Sequence, residues 1–293
     1  MKKVAIVTDT NSGIFPAQAE EIGGVFVVPM PITIDGVDYE EGVSITAEEF
    51  YRRQAEGADI TTAQPSPAAM CGLWDRVLEE YESLVFIPMT SGLSGTCATA
   101  QMLSGAFGGR VTVVDNCAIS ATLKMAVLEA RRLADQGAEP EEIRRRLEAH
   151  ADNVCIYITV NTLKYLKKGG RITPAAAAIG DVLNIRPVMK IERGKLDAFA
   201  KVRGRRQSKA AIIQAMKDDL AGRFAQFLAQ GRVRPHIAHA GIPEEAQQWK
   251  EEMEAAYFPG FSVEVHELPL SIGTHTGQGA LGAGFTIDME PLA

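Results

Sequence analysis

The chain has 293 residues, a formal net charge of -7, 46% hydrophobic and 23% charged residues. That length suits two domains around a sizeable core. The acidic balance excludes nonspecific nucleic-acid binding, which needs a basic surface, and no apolar run approaches the roughly 18 residues of a membrane span. From the amino terminus, Val4–Thr8 is a short apolar run that ends on a turn signal, and Val25–Met30 is a second. Asp35-Gly36 between β-formers predicts a hairpin over 32–40. Thr46 with Glu49 fits a capping box that opens a helix to about Gln54, and Pro67 to about Tyr81 reads as the next helix. Strands follow at Leu84–Met89 and Val111–Asp115, each leading into a helical stretch. Alternating strand and helix predicts a parallel sheet covered by helices.

The pattern then changes. Pro140–Ala151 reads as a charged helix with its proline in the first turn, and Val154–Thr159 as a strand. Thr162–Lys168 is a short basic helix stopped by Gly169-Gly170. Val188–Ile191 and Leu196–Val202 flank Gly194-Lys195 as a hairpin. Next come a helix over about Gln207–Leu228, a strand at Pro235–His239, a helix at Pro243–Tyr257 and a strand at Ser262–Glu267. A glycine-rich loop, Gly273–Gly284, leads to a last strand near Phe285–Asp288. The expected fold is α/β in two domains: a parallel-sheet α/β/α domain at 1–160 and an α+β domain at 161–293. The last strand is free to return to the first domain. Cys71, Cys97, Cys117 and Cys155 form no C-x-x-C pair and are expected to be reduced and mostly buried, which fits a cytoplasmic protein.

Three hydroxyl-rich segments could carry chemistry. In Thr61-Thr62-Ala63-Gln64-Pro65-Ser66-Pro67, two prolines stiffen a loop ahead of a helix, so hydroxyls and amides could face an anion. A plain helix cap explains the same residues. Thr90–Thr96 joins a buried strand to a helix, where open α/β sheets place their ligand crevice. Ser91, Ser94 and Gly95 are its candidates, although Gly92-Leu93-Ser94-Gly95 is one residue short of a nucleophile elbow. In Gly273–Gly282, Thr274, His275 and Gly277 could contact an oxyanion. The G-x-G-x-x-G at Gly277, Gly279 and Gly282 is too close to the end of the chain for a dinucleotide fold. No metal site is expected, because His236 and His239 lack a third neighbour. The cations Lys164, Lys167, Lys168, Arg171, Arg203, Arg205 and Arg206 stand out in an acidic chain, either as solvated surface or as a docking patch. A serine hydrolase can be drawn from Ser94, His275 and Asp9 or Asp115, and a nucleotide-binding regulator from the glycine loop.

The ordered set Val7-Thr8-Asp9-Thr10, Thr62-Ala63-Gln64-Pro65, Ser91-Gly92-Leu93-Ser94-Gly95-Thr96, Leu166-Lys167-Lys168-Gly169-Gly170-Arg171-Ile172 and His275-Thr276-Gly277-Gln278-Gly279-Ala280-Leu281-Gly282 resembles the DegV family of fatty-acid-binding proteins. That family includes the binding subunit of bacterial fatty acid kinase. The resemblance implies a long-chain fatty acid held between two domains, with Thr62, Ser94 and His275 at its carboxylate. Thr61, Ser91, Gly95, Thr274 and Gly277 would lie around them, and Arg171 and Arg203 would engage a kinase subunit. It implies a carrier in phospholipid metabolism, with no cofactor of its own and no catalytic residue, that presents the carboxylate to an ATP-dependent kinase. The alternative is a serine-type acyl hydrolase using Ser94 and His275. Ala63, Cys97, Asn116 and Gly204 depart from common family residues without touching Thr62, Ser94 or His275. The apolar stretch Ile172–Met189 is the candidate wall for the acyl chain.

Overall fold

A computed structural model describes residues 2–177 and 185–290 of the chain. They form two compact units. The first comprises residues 2–46, 59–151 and 290, and the second comprises 47–58 and 152–289. The division falls near 152 rather than 160, because the strand at Val154–Thr159 lies inside the second unit's sheet.

In chain order the first unit's strands are β1 (Lys2–Asp9), β2 (Val25–Val28), β3 (Pro31–Ile34), β4 (Val37–Glu40), β5 (Ile60–Thr62), β6 (Tyr81–Ile87) and β7 (Val111–Val113). Four of them make an all-parallel sheet in the order β2-β1-β6-β7. Its strands are buried on both faces and so read as continuous apolar runs. On one face Ala5, Val7, Leu84 and Phe86 pack with Met70, Trp74 and Val77 of the helix Pro67–Glu80. Each such large side chain contributes on the order of 1.5–3 kcal/mol of burial. The other face carries Val4, Ile6, Val85 and Ile87, with the helices Ala121–Asp135 and Pro140–Ala149 against β1 and β6. Strands β4-β3-β5 form a small antiparallel sheet. Its β3–β4 turn holds Asp35 at φ 50 and Gly36 at φ 81, the left-handed pair that a two-residue hairpin requires.

The second unit is built on a six-stranded mixed sheet. Its strands are β8 (Val154–Thr159), β9 (Ile185–Glu192), β10 (Lys195–Arg203), β11 (Val233–His239), β12 (Glu264–Glu267) and β13 (Leu281–Ile287), in the order β10-β9-β8-β13-β11-β12. The last strand therefore does not return to the first unit; it sits between β8 and β11. Helices Gly204–Ala221 and Pro243–Glu252 cover one face, where Ile212, Met216, Trp249 and Phe285 are fully buried. The helix expected over Gln207–Leu228 is two helices, with a break at Gly222 before Ala225–Ala229. The basic helix runs over Lys164–Gly169 and ends on Gly170 at φ 67.

Cys97 and Cys155 are buried, Cys71 and Cys117 half-buried, and all four are thiols rather than disulfides. Burial pushes the Cys97 thiol up to about 12. Among the described residues, no helix is long and apolar enough to cross a membrane.

Candidate functional site

In a parallel sheet of order 2-1-6-7, the chain leaves β1 toward one side and later returns on the other. The switch point lies between the carboxyl ends of β1 and β6, where such sheets bind ligands. The loops after β1, β6 and β7 interlock there. Asp9 is fully buried at the end of β1; its Oδ2 accepts from the Met89 amide and its Oδ1 from the Asn11 amide, both at 3.0 Å. Burial raises its carboxyl to about 6 against the pull of those two amides. Ser120 donates its amide to Asn11 O at 2.9 Å from a strained backbone (φ 54, ψ -131), a conformation that a residue with a side chain keeps only when its surroundings hold it there. Thr90 donates to Ala118 O at 3.0 Å, and Ser91 to Asp115 Oδ1 at 3.3 Å. Thr10 Oγ1 donates to Glu41, accepts from the Met30 amide at 3.0 Å, and is completely buried together with Glu41.

Two of the three hydroxyl-rich segments come together in this unit. Thr61 and Thr62 are the last residues of β5, opposite Thr33 and Ile32, with Thr61 exposed and Thr62 half-buried. Gln64 reaches the helix Thr96–Ser104: its Nε2 donates to Thr99 Oγ1 at 3.0 Å, and a side chain at Gly95 would come within 2.8 Å of its Oε1. Gly95 thus lets the two segments meet. Ser66 caps the following helix, its Oγ accepting from the Ala69 amide at 3.1 Å, so the cap reading of that residue holds. Ser94 is half-buried; its Oγ lies 2.9 Å from Thr96 Oγ1 and accepts the Thr96 amide at 3.2 Å. Ser91 and Gly95 are exposed.

The third segment belongs to the second unit and is not a loop. His275 lies on the helix Leu270–Thr276, and Gly277 ends that helix at φ 75. Thr274 Oγ1 donates back to Leu270 O at 2.9 Å, which satisfies the hydroxyl within the helix and removes it as a free donor. His275 packs on the basic helix: a side chain at Gly169 would fall 2.0 Å from its Nδ1. Burial, with the Arg171 charge second, holds its imidazole down at about 4, so it is neutral at physiological pH. After Gly277 the chain enters β13 rather than a helix, which excludes the dinucleotide reading of the glycines. Asp9 accepts from the Asn11 and Met89 amides, and Asp115 Oδ1 from the Ser91 and Cys117 amides.

Among the cations, Lys164, Lys167, Lys168, Arg171, Arg203 and Arg206 are exposed, and Arg205 is half-buried. Its Nε and Nη2 bond Glu245 at 2.8 and 3.1 Å, and its Nη1 donates to Gly279 O at 2.9 Å. Within the candidate acyl wall, positions 178–184 lie outside the described residues; Val188 and Met189 are fully buried.

Sequence reasoning missed two supports. Glu41 follows a hairpin and carries no motif. Gln54, in the segment 47–58 that joins the second unit, donates to Gly273 O at 3.1 Å and accepts from the Gln278 amide at 3.0 Å. It thereby ties both ends of the His275 segment, and Tyr51 fills the space that a side chain at Gly273 would take. Gln54→Ala is expected to lower the stability of the second unit by about 2 kcal/mol in urea denaturation, since it strands two backbone groups.

A family model described as "Uncharacterised protein, DegV family" matches residues 3–288. A DegV domain-containing protein of Deinococcus radiodurans is 31% identical, with 99% of each chain covered. Among solved structures, a fatty-acid-binding DegV family protein from Thermus thermophilus is 31% identical at a TM-score of 0.86, covering 98% of this chain and 100% of that one. DegV of Bacillus subtilis, described as a fatty acid binding protein, is 26% identical at a TM-score of 0.84, with 98% and 100% covered.

Proposed function

Because this chain belongs to the DegV family, we propose that it binds a long-chain fatty acid, burying the acyl chain and hydrogen-bonding the carboxylate, and presents it to a separate ATP-dependent fatty acid kinase. The observation that carries this reading is the likeness along the whole chain to two structures described as fatty-acid-binding. Thr62 and Ser94 serve as hydroxyl donors to the carboxylate, with His275 as a further neutral donor. A carboxylate leaving water needs several such donors. Hydroxyls and a neutral imidazole supply them without a full positive charge, which leaves the oxygens nucleophilic. About sixteen buried carbons would contribute on the order of 10 kcal/mol before association costs.

The chain acts here as a carrier, and the step of phosphorylation belongs to the partner. Native mass spectrometry of protein purified from cells tests the ligand class. A retained mass equal to a long-chain fatty acid supports the reading, and recovery of lipid-free protein that also fails to take up palmitate or oleate overturns it. The exposed cations Arg171 and Arg203 are the residues proposed to engage the kinase. Arg171→Ala is expected to leave fatty-acid affinity within about twofold while weakening the kinase complex by roughly tenfold, the value of one charge-assisted contact. Equal loss of both in parallel calorimetric titrations removes the docking role.

A further inference from the structure

His236 and His239 are close in sequence, and the sheet separates them. They lie three residues apart on β11, so their side chains leave opposite faces. The fold supplies other neighbours for His236. In the parallel pairing of β11 with β12, His236 stands opposite Glu264, and His266 lies two residues further along β12 on the same face. That face is opposite the one whose Ile237 and Val265 join the core. His236 Nδ1 is 3.4 Å from His266 Nε2, and His266 Nε2 is 3.3 Å from Glu264 Oε2.

We propose that His236, His266 and Glu264 bind a divalent transition-metal ion of the zinc type, clipping the edge strand β12 to β11. Ligand atoms about 2.0–2.1 Å from a tetrahedral zinc lie roughly 3.3–3.4 Å from one another, which is the separation of His266 Nε2 from each of its two neighbours, and all three ligand atoms lie within 4.8 Å of one another. The set of two imidazoles and one carboxylate matches that ion's preference and leaves a fourth position for water. An outer support is in place as well. His236 Nε2 lies 2.6 Å from Thr286 Oγ1 on β13, and in the tautomer that donates to this oxygen Nδ1 would be the ligating nitrogen.

The test is titration of the full-length, chelator-stripped protein with Co2+, read by visible absorption and followed by competition with Zn2+. The wild type is expected to take up a single equivalent with the intense tetrahedral bands and to release it to Zn2+. Thr286→Val should weaken binding by roughly 10–100-fold, the usual effect of losing an outer-shell partner, and His266→Gln by more. Glu264→Gln, at an exposed position, repeats the test where His266→Gln fails to fold. Absence of stoichiometric tetrahedral binding by the wild type overturns the site, as does undiminished binding in the folded ligand variants.

Discussion

Replacing Thr62 and Ser94 together by alanine is expected to weaken long-chain fatty-acid binding by about 100-fold or more, measured by isothermal calorimetry. Hydrogen bonds to a charged group contribute about 1.5–3 kcal/mol each, and a carboxylate stripped of two donors remains desolvated without compensation. The acyl chain contributes through apolar burial that neither substitution touches, so residual binding should persist. A fatty acid methyl ester supplies the internal control. It has no anionic head to lose, so its affinity should differ by only a few-fold between wild type and variant. Ser94 also accepts the Thr96 amide, and removing that hydrogen bond costs on the order of 1 kcal/mol of stability. The comparison is therefore made well below the melting temperature of both proteins. Unchanged affinity for the free acid would refute the role proposed for these hydroxyls.

Much of the first unit could be read in advance because its signals are local. The Asp35-Gly36 turn, the Ser66 cap and the doubly buried apolar strands each follow from residues close in sequence. What escaped depends on distant contacts. Strand β5 is three residues long and exists through its pairing with β3. Residues 47–58 read as one more helix of the first half, yet Tyr51 and Gln54 find their partners at Gly273 and Gln278. The glycines of 273–284 look like loop punctuation, but several admit close neighbours. Gly273 accommodates Tyr51, Gly279 accommodates Asn161, and Gly284 lies within β13 against the Cys155 carbonyl. A glycine needed for close approach and a glycine needed for a turn are the same letter in a sequence. That ambiguity turned the His275 helix into an expected loop.

The helical setting of His275 makes its acid response a direct measure of its burial. Its imidazole is held near 4 in the folded protein against an ordinary value near 6.5. The unfolded chain therefore binds a proton over a range where the folded chain does not. Stability from this residue is complete above about pH 6.5 and is lost as pH falls toward 4, amounting to roughly 2 kcal/mol by pH 5 and about 3 kcal/mol at pH 4. Asp9 acts with the opposite sign in the other unit. Its folded value near 6 lies above the ordinary 3.8, so its contribution is greatest below 3.8 and is lost as pH rises through 6. The wild-type profile mixes the two, and only a difference between proteins isolates the histidine. His275→Gln keeps a polar side chain of similar reach without the titration. Relative to wild type, the variant's stability in urea should rise by roughly 2 kcal/mol between pH 7.5 and pH 5, whatever offset separates the two proteins at pH 7.5. Parallel profiles over that range would mean that the imidazole titrates normally. A normal, protonatable imidazole would add positive charge to the carboxylate site under mild acid, contrary to the neutral donor set proposed for the fatty acid.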